Sequence, residues 1–257
     1  MDFALLSDMH TWLLAATLAV AILSGVIKGS VGFGMPLVML SGLSTFLDPK
    51  LALAGLIAPI VMSNGLQAFR TGIAPAIEAT RIVWRYILIV CVAIFLSAQL
   101  VPVIPSDALY FVLGVPVLAL SLIQLIGLRL TIPVRHRGWA EWAVGLFSGV
   151  LGGLAGTWGP TTVLYLLAID MQKARQVIVQ GIIYGAGSVT LLVAHLRSGI
   201  LNDQTIPFTL ALLPPALIGM WIGFKIQDKL DQEKFRKITL IVLVVAALNL
   251  LRKGLGL

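Results

Sequence analysis

GSVGFGMP, residues 29–36, sets three glycines and a proline into eight positions flanked on both sides by apolar sequence. Glycine breaks helices through its conformational freedom and proline through its missing N–H, so the fold turns on which solvent surrounds this break. Of the 257 residues, 59% are hydrophobic and 11% charged, with a mean hydropathy of +1.01. That is too apolar for a soluble domain and predicts an all-α polytopic membrane protein in contact with lipid. The net charge of +7 comes from basic residues in short loops between apolar runs, not from a stripe interleaved with aromatics, which argues against nucleic acid as a partner. Cys91 is the single cysteine, so no intramolecular disulfide or thiolate cluster can form. The opening MDFALLSDMH (1–10) carries Asp2 and Asp8 and no basic residue, the wrong charge for a signal peptide, and the first apolar run therefore reads as retained.

Most uncharged runs match the roughly 20 residues that cross a hydrocarbon core. The run from Trp142 to Ile169 does not, because as one helix it would reach roughly 42 Å against a core of roughly 30 Å. GGLAGTWGP (152–160) stands in its middle, and its glycines and proline predict that the chain folds back there.

The second break repeats the first. SGVIKGSVGFGMPLVML (24–40) laid over SGVLGGLAGTWGPTTVL (148–164) without gaps pairs Ser24, Gly25, Val26, Gly29, Gly32, Pro36 and Leu40 with Ser148, Gly149, Val150, Gly153, Gly156, Pro160 and Leu164. RTGI at 70–73 returns as RSGI at 197–200. The expected organisation is a first transmembrane repeat over 1–128, a cytoplasmic linker over 129–138 and a second repeat over 139–257. Counting each break as a turn gives about five segments per repeat: 10–28, 30–46, 51–70, 82–104 and 107–128, then 139–153, 156–170, 174–196, 204–224 and 236–252. An odd number inserts the two copies in opposite directions. Arg70, Arg81, Arg85, Arg129, Arg135, Arg137, Lys173, Arg175, Lys225, Lys229, Lys234, Arg236 and Lys237 fall in one set of alternate loops, whereas the other holds Lys50, Arg197, Arg252 and Lys253. The positive-inside rule then puts both termini outside the plasma (bacterial inner) membrane, whether the glycine hairpins cross fully or are re-entrant.

Inverted repeats with interrupted helices are the architecture of secondary transporters. Pro36 and Pro160 each follow a glycine-rich break and open an apolar run, the N1 position proline favours. Each returning half-helix would turn unpaired N–H groups and the positive end of its dipole to the break, and two such ends suit a small anion. Lys28 adds a charge beside one break, and Ser30, Thr157, Thr161 and Thr162 add hydroxyls. Phe33 and Trp158 stand at the bends. Gly32, Gly34, Gly156 and Gly159 read as hinges. Gly29 and Gly153 join the candidate substrate site but also complete GxxxG spacings with Gly25 and Gly149, and close helix packing is the equal alternative. Lys28 has its own bland reading, a helix-end anchor that snorkels to the interface. In the third segments, Ser63, Asn64 and Gln67 form one polar patch, and Gln176, Gln180, Tyr184 and Ser188 recur every four residues. Such stripes face protein or a cavity, not lipid, as substrate ligands or as interhelical hydrogen bonds.

GVIKGSVGFG (25–34) and SGVLGGLAGTWGP (148–160), each opening one half of a small polytopic chain, resemble the paired motifs of the sulfite exporter TauE/SafE family. The resemblance implies transport of sulfite, sulfonates such as sulfoacetate, or other small organosulfur anions, the anion class that the half-helix argument reaches separately.

Every Asp and Glu lies in a loop or at a segment end, so no carboxylate marks a mid-membrane relay. Coupling is left to Glu141, His195, backbone carbonyls or the substrate itself. No P-loop, HExxH or paired carboxylate occurs, and no metal or cofactor is expected; an enzyme is the weakest reading. An anion channel and a non-transporting membrane subunit stay open beside an alternating-access carrier, as does homo-oligomerisation.

Overall fold

The computed structural model describes residues 9–69, 72–104, 106–127, 132–156, 158–169, 171, 173–227 and scattered positions between 241 and 256. Regular structure among them is helical: α1 (Thr11–Val31), α2 (Met35–Leu43), α3 (Pro49–Ala68), α4 (Ile73–Ala98), α5 (Ser106–Leu125), α6 (Arg137–Ala155), α7 (Gly159–Ala168), α8 (Lys173–Ser198) and α9 (Thr205–Gln227), with a 3₁₀ turn at Val134–His136. Among the described residues five stretches are long and apolar enough to cross a membrane: Thr11–Ser30, Pro49–Ala68, Ile73–Ala98, Ile178–Ser198 and Thr205–Ile226. Helices α2 and α7 are too short for that, at roughly 14–15 Å for 1.5 Å per residue.

Each long helix pairing has a counterpart. Helix α1 packs along α9 as α6 packs along α4; α3 meets α9 as α8 meets α4; and α3 meets α8. Glycines permit the two closest approaches. A Cβ on Gly25 or Gly29 would collide with the backbone of Ala216 or Met220 on α9, and one on Gly149 or Gly153 with that of Val90 or Ile94 on α4. Removing the side chain lets backbones meet where lipid gives no hydrophobic drive to association. Helix α1 thus lies on α9 and α6 on α4, so the N-terminal and C-terminal parts of the chain interlock.

Polar backbone left over by proline is repaired across helices. Pro59, inside α3, cannot donate to the carbonyl of Gly55 four residues back. The Thr209 hydroxyl of α9 donates to that carbonyl at 3.0 Å and accepts from the Ala58 N–H at 2.9 Å. At the N-terminus of α3, Asp48 accepts from the N–H groups of Lys50 and Leu51, followed by proline in the first turn.

One expectation is corrected here. The fourth segment begins at Ile73, not near 82. Residues 73–82 look like loop because Glu78 and Arg81 interrupt them and Arg85 follows, yet Ala76 and Ala79, with Val83 just beyond, are buried on one side. Non-helical torsions at Val83 (φ −117°, ψ 20°) mark a kink where this amphipathic turn joins the apolar span. Beyond it, Tyr86, Val90 and Ala93 face inward while Leu88, Val92 and Leu96 face out.

Candidate anion site

The two breaks are capped alike. Helix α1 ends at Val31 with Gly32 in the left-handed region (φ 79°), its N–H donating to the Lys28 carbonyl at 2.8 Å. Helix α6 ends at Ala155 with Gly156 left-handed (φ 63°), donating to the Gly152 carbonyl at 2.7 Å. A side chain at either position meets steric strain, which glycine avoids. A second left-handed glycine, Gly34 (φ 93°), starts α2 with proline in its first turn.

Between the breaks lies a small cavity lined by Lys28, Phe33, Gly34, Pro36, Leu37, Asn64, Gly156, Trp158, Gly159 and Tyr184. It encloses about 20 Å³ of water-accessible space, room for roughly one water molecule. Lys28 dominates it. The side chain is buried; its ammonium donates to the Asn64 side-chain carbonyl and, at 3.1 Å, to the Gly32 carbonyl, and lies 5.2 Å from the centre of the Tyr184 ring. Asn64 is held in turn by donating to the Tyr184 carbonyl at 3.2 Å, and the Tyr184 hydroxyl donates to the Gly159 carbonyl at 3.0 Å. Among the described residues no carboxylate pairs with Lys28, so its charge is met by neutral dipoles and a π face alone.

Among the described residues two buried donors near it have no partner. Neither amide atom of Gln67 is hydrogen-bonded, and its Nε2 would sit 3.5 Å from a Cβ on Gly32, which places it beside the first break. The Trp158 indole Nε1 is likewise unpartnered. Its ring is held between Gly152 and Gly187, where added side chains would press on it, and meets Tyr184 edge-on at 6.5 Å. The placement of Trp158 therefore depends on two glycines, one on its own hairpin and one on α8.

Other sequence candidates lie apart from the cavity lining. Gly29 and Gly153 occupy the close helix contacts. Ser30 donates to the carbonyls of Val26 and Gly223, and Ser63 to Ile60, with Met35 sulfur at 3.5 Å. Thr161 and Thr162 belong to a buried hydroxyl network in which Ser148 bonds Thr161 and Tyr86 lies 3.0 Å from Ser148 and 3.2 Å from Thr162. Gln180 and Ser188 are buried on α8. Thr157 lies outside the described residues, as do the side chains of Pro160 and Gln176; Pro160 itself is the second residue of α7. Sequence reading paired Ser148 with Ser24 only as a repeat match and missed Tyr86, whose one available signal is a hydroxyl at the start of an apolar run.

A family model described as Sulfite exporter TauE/SafE matches residues 17–250, and the chain belongs to that family. Neither a curated protein nor a solved structure matches it.

Proposed function

We propose that this member of the sulfite exporter TauE/SafE family is a secondary transporter of sulfite or a small sulfonate, working by alternating access in the bacterial inner membrane. The anion would replace the neutral partners of Lys28 between the two glycine breaks. One observation carries the reading: a buried ammonium that meets no carboxylate among the described residues, in a cavity lined by Trp158, whose indole N–H is unpartnered, with the unpartnered Gln67 amide beside the first break. A buried cation is costly unless a charge of opposite sign meets it. Arrival of an anion supplies that charge, and Gln67 Nε2 and Trp158 Nε1 have hydrogen bonds to give. The present cavity admits little more than a water, so binding requires the hairpins to part, the motion an alternating-access carrier makes. The matched helix pairings and caps support two repeats of inverted topology, and the distribution of Lys and Arg among the loops supports both termini outside.

Counterflow tests the carrier reading. Proteoliposomes loaded with unlabelled sulfite are expected to take up radiolabelled sulfite transiently above equilibrium; simple equilibration indicates a channel, and no flux an inert subunit. Topology is tested separately. In a Cys91→Ala background, cysteines at Ala74 and Asp203, both exposed and each following a third segment, should label from opposite faces. Labelling from one face would contradict inversion.

A further inference from the structure

Asn64 and Gln67 stand three residues apart on α3, neighbours on one helix face, yet only one of them is satisfied. Asn64 uses both ends of its amide, accepting from the Lys28 ammonium and donating to the Tyr184 carbonyl at 3.2 Å. Gln67 uses neither: it is 8% exposed, and both its Nε2 and its Oε1 lack a hydrogen-bond partner. The amide reaches the first break, with Nε2 3.5 Å from where a Cβ on Gly32 would stand. The carbonyl of that same glycine accepts from the Lys28 ammonium at 3.1 Å. Helix α8 lies over the backbone of this turn, where a Cβ on Gly181 would come within 3.0 Å of the Ala68 nitrogen and 3.1 Å of the Gln67 carbonyl carbon.

A buried amide with both ends unmet is costly, because each end forfeits a bond that it makes in water. The missing partner has a definite chemistry. The amide offers a double donor and an acceptor oxygen, and turning it over exchanges the two ends but leaves the same demand. An oxygen of an anion satisfies the donor end. It cannot satisfy the acceptor end, since a fully deprotonated anion turns only lone pairs outward. The donors around the cavity leave Oε1 unserved: the Lys28 ammonium goes to Asn64 and Gly32, the Tyr184 hydroxyl goes to the Gly159 carbonyl, and Trp158 Nε1 has no partner.

We propose that the anion taken between the glycine breaks carries a hydrogen-bond donor of its own, which Gln67 reads, an inference that rests on the anion-site reading above and narrows its substrate. One oxygen of the anion accepts from Gln67 Nε2 while an O–H or N–H of the anion donates to Oε1, a two-point contact that fixes its orientation beside Lys28. Sulfite meets this demand only when protonated. Bisulfite has one O–H and a single negative charge to set against one lysine. The sulfite dianion leaves Oε1 unmet and brings a second negative charge, and Lys28 is the one cation among the residues that line the cavity. Bisulfite takes its proton from water before it binds, so no proton moves within the site.

Sulfamate and methanesulfonate test the donor at fixed charge, because both are monoanions at neutral pH that share an SO3 group and differ in carrying an amine or a methyl. Isothermal calorimetry on the purified parent should show sulfite binding, and should show sulfamate binding about tenfold more tightly than methanesulfonate, the factor expected for one buried polar group left unmet. In Gln67→Met, similar in length but without the amide, the two should bind within about twofold of each other. A parent that binds sulfite without preferring sulfamate to methanesulfonate overturns the proposal and leaves the anion site standing. A folded Gln67→Met that keeps the tenfold preference overturns it as well. A parent that binds none of the three sinks the anion-site reading and this proposal together. Should Gln67→Met not purify as a monodisperse protein, Gln67→Leu is read in its place.

Discussion

The two glycine breaks share a cap and differ in what they hold. At the first, the residue whose carbonyl receives the capping N–H is Lys28; at the second it is Gly152. At the first, the residue two beyond the capping glycine is Gly34, itself left-handed; at the second it is Trp158, whose indole fills space that a side chain at 152 would take. One hairpin brings charge and the other an aromatic wall. One cavity between the two breaks suits that asymmetry, because two buried lysines would repel each other and two tryptophans would fill the space. The shared parts set backbone geometry, and the differing parts set chemistry.

The largest effect should fall on the shared parts. Gly25→Leu and Gly149→Leu each drive a side chain into the backbone of the facing helix, beyond the usual overpacking cost of about 1–3 kcal/mol. Both should fail to give monodisperse protein by size-exclusion chromatography. Gly65→Ala, with open space around it, should behave as the parent. If Gly149→Leu purifies normally while Gly25→Leu does not, the two pairings are not equivalent.

Next come the caps. A left-handed alanine costs about 1–2 kcal/mol, so Gly32→Ala and Gly156→Ala should both lower thermal stability in detergent and slow counterflow. Gly156→Ala should be worse, since its Cβ also meets Leu56 at 2.9 Å while that of Gly32 meets Gln67 at 3.5 Å. Equal melting of the two would show that the surroundings of the second break give way easily.

Much of this difference was legible beforehand. The breaks are visible because glycine and proline act locally, and Lys28 because a cation within an apolar run is rare. Lys28, Asn64, Trp158 and Tyr184 do line one cavity. What could not be read is lateral. That Gly187 makes room for Trp158, or that Thr209 repairs the backbone opened by Pro59, depends on which helices meet, and uniformly apolar spans say little about their neighbours. The Tyr86 network was hidden for the same reason, and the turn at 73–82 because its small buried face consists of alanines and a valine.

The smallest effect belongs to that network. Tyr86→Phe removes the hydroxyl contacts to Ser148 and Thr162 but leaves the ring stacked on Tyr165 at 4.9 Å. Stability should fall by about 1 kcal/mol, seen as a modest drop in melting temperature, with sulfite affinity unchanged. A large loss of affinity would move the second hairpin from wall to ligand.

The division of labour between the breaks rests on Lys28, and sulfite binding by isothermal calorimetry to purified Lys28→Met tests it. At an effective dielectric of about 20, a charge pair at 4 Å is worth about 4 kcal/mol before desolvation, so affinity should fall about a hundredfold or more, and Lys28→Arg should keep part of it. Because the lysine is a buried cation that meets no carboxylate among the described residues, Lys28→Met should also melt at or above the temperature of the parent. Parent-like affinity in a well-folded Lys28→Met would contradict the assignment and leave the lysine as a structural anchor for the first break.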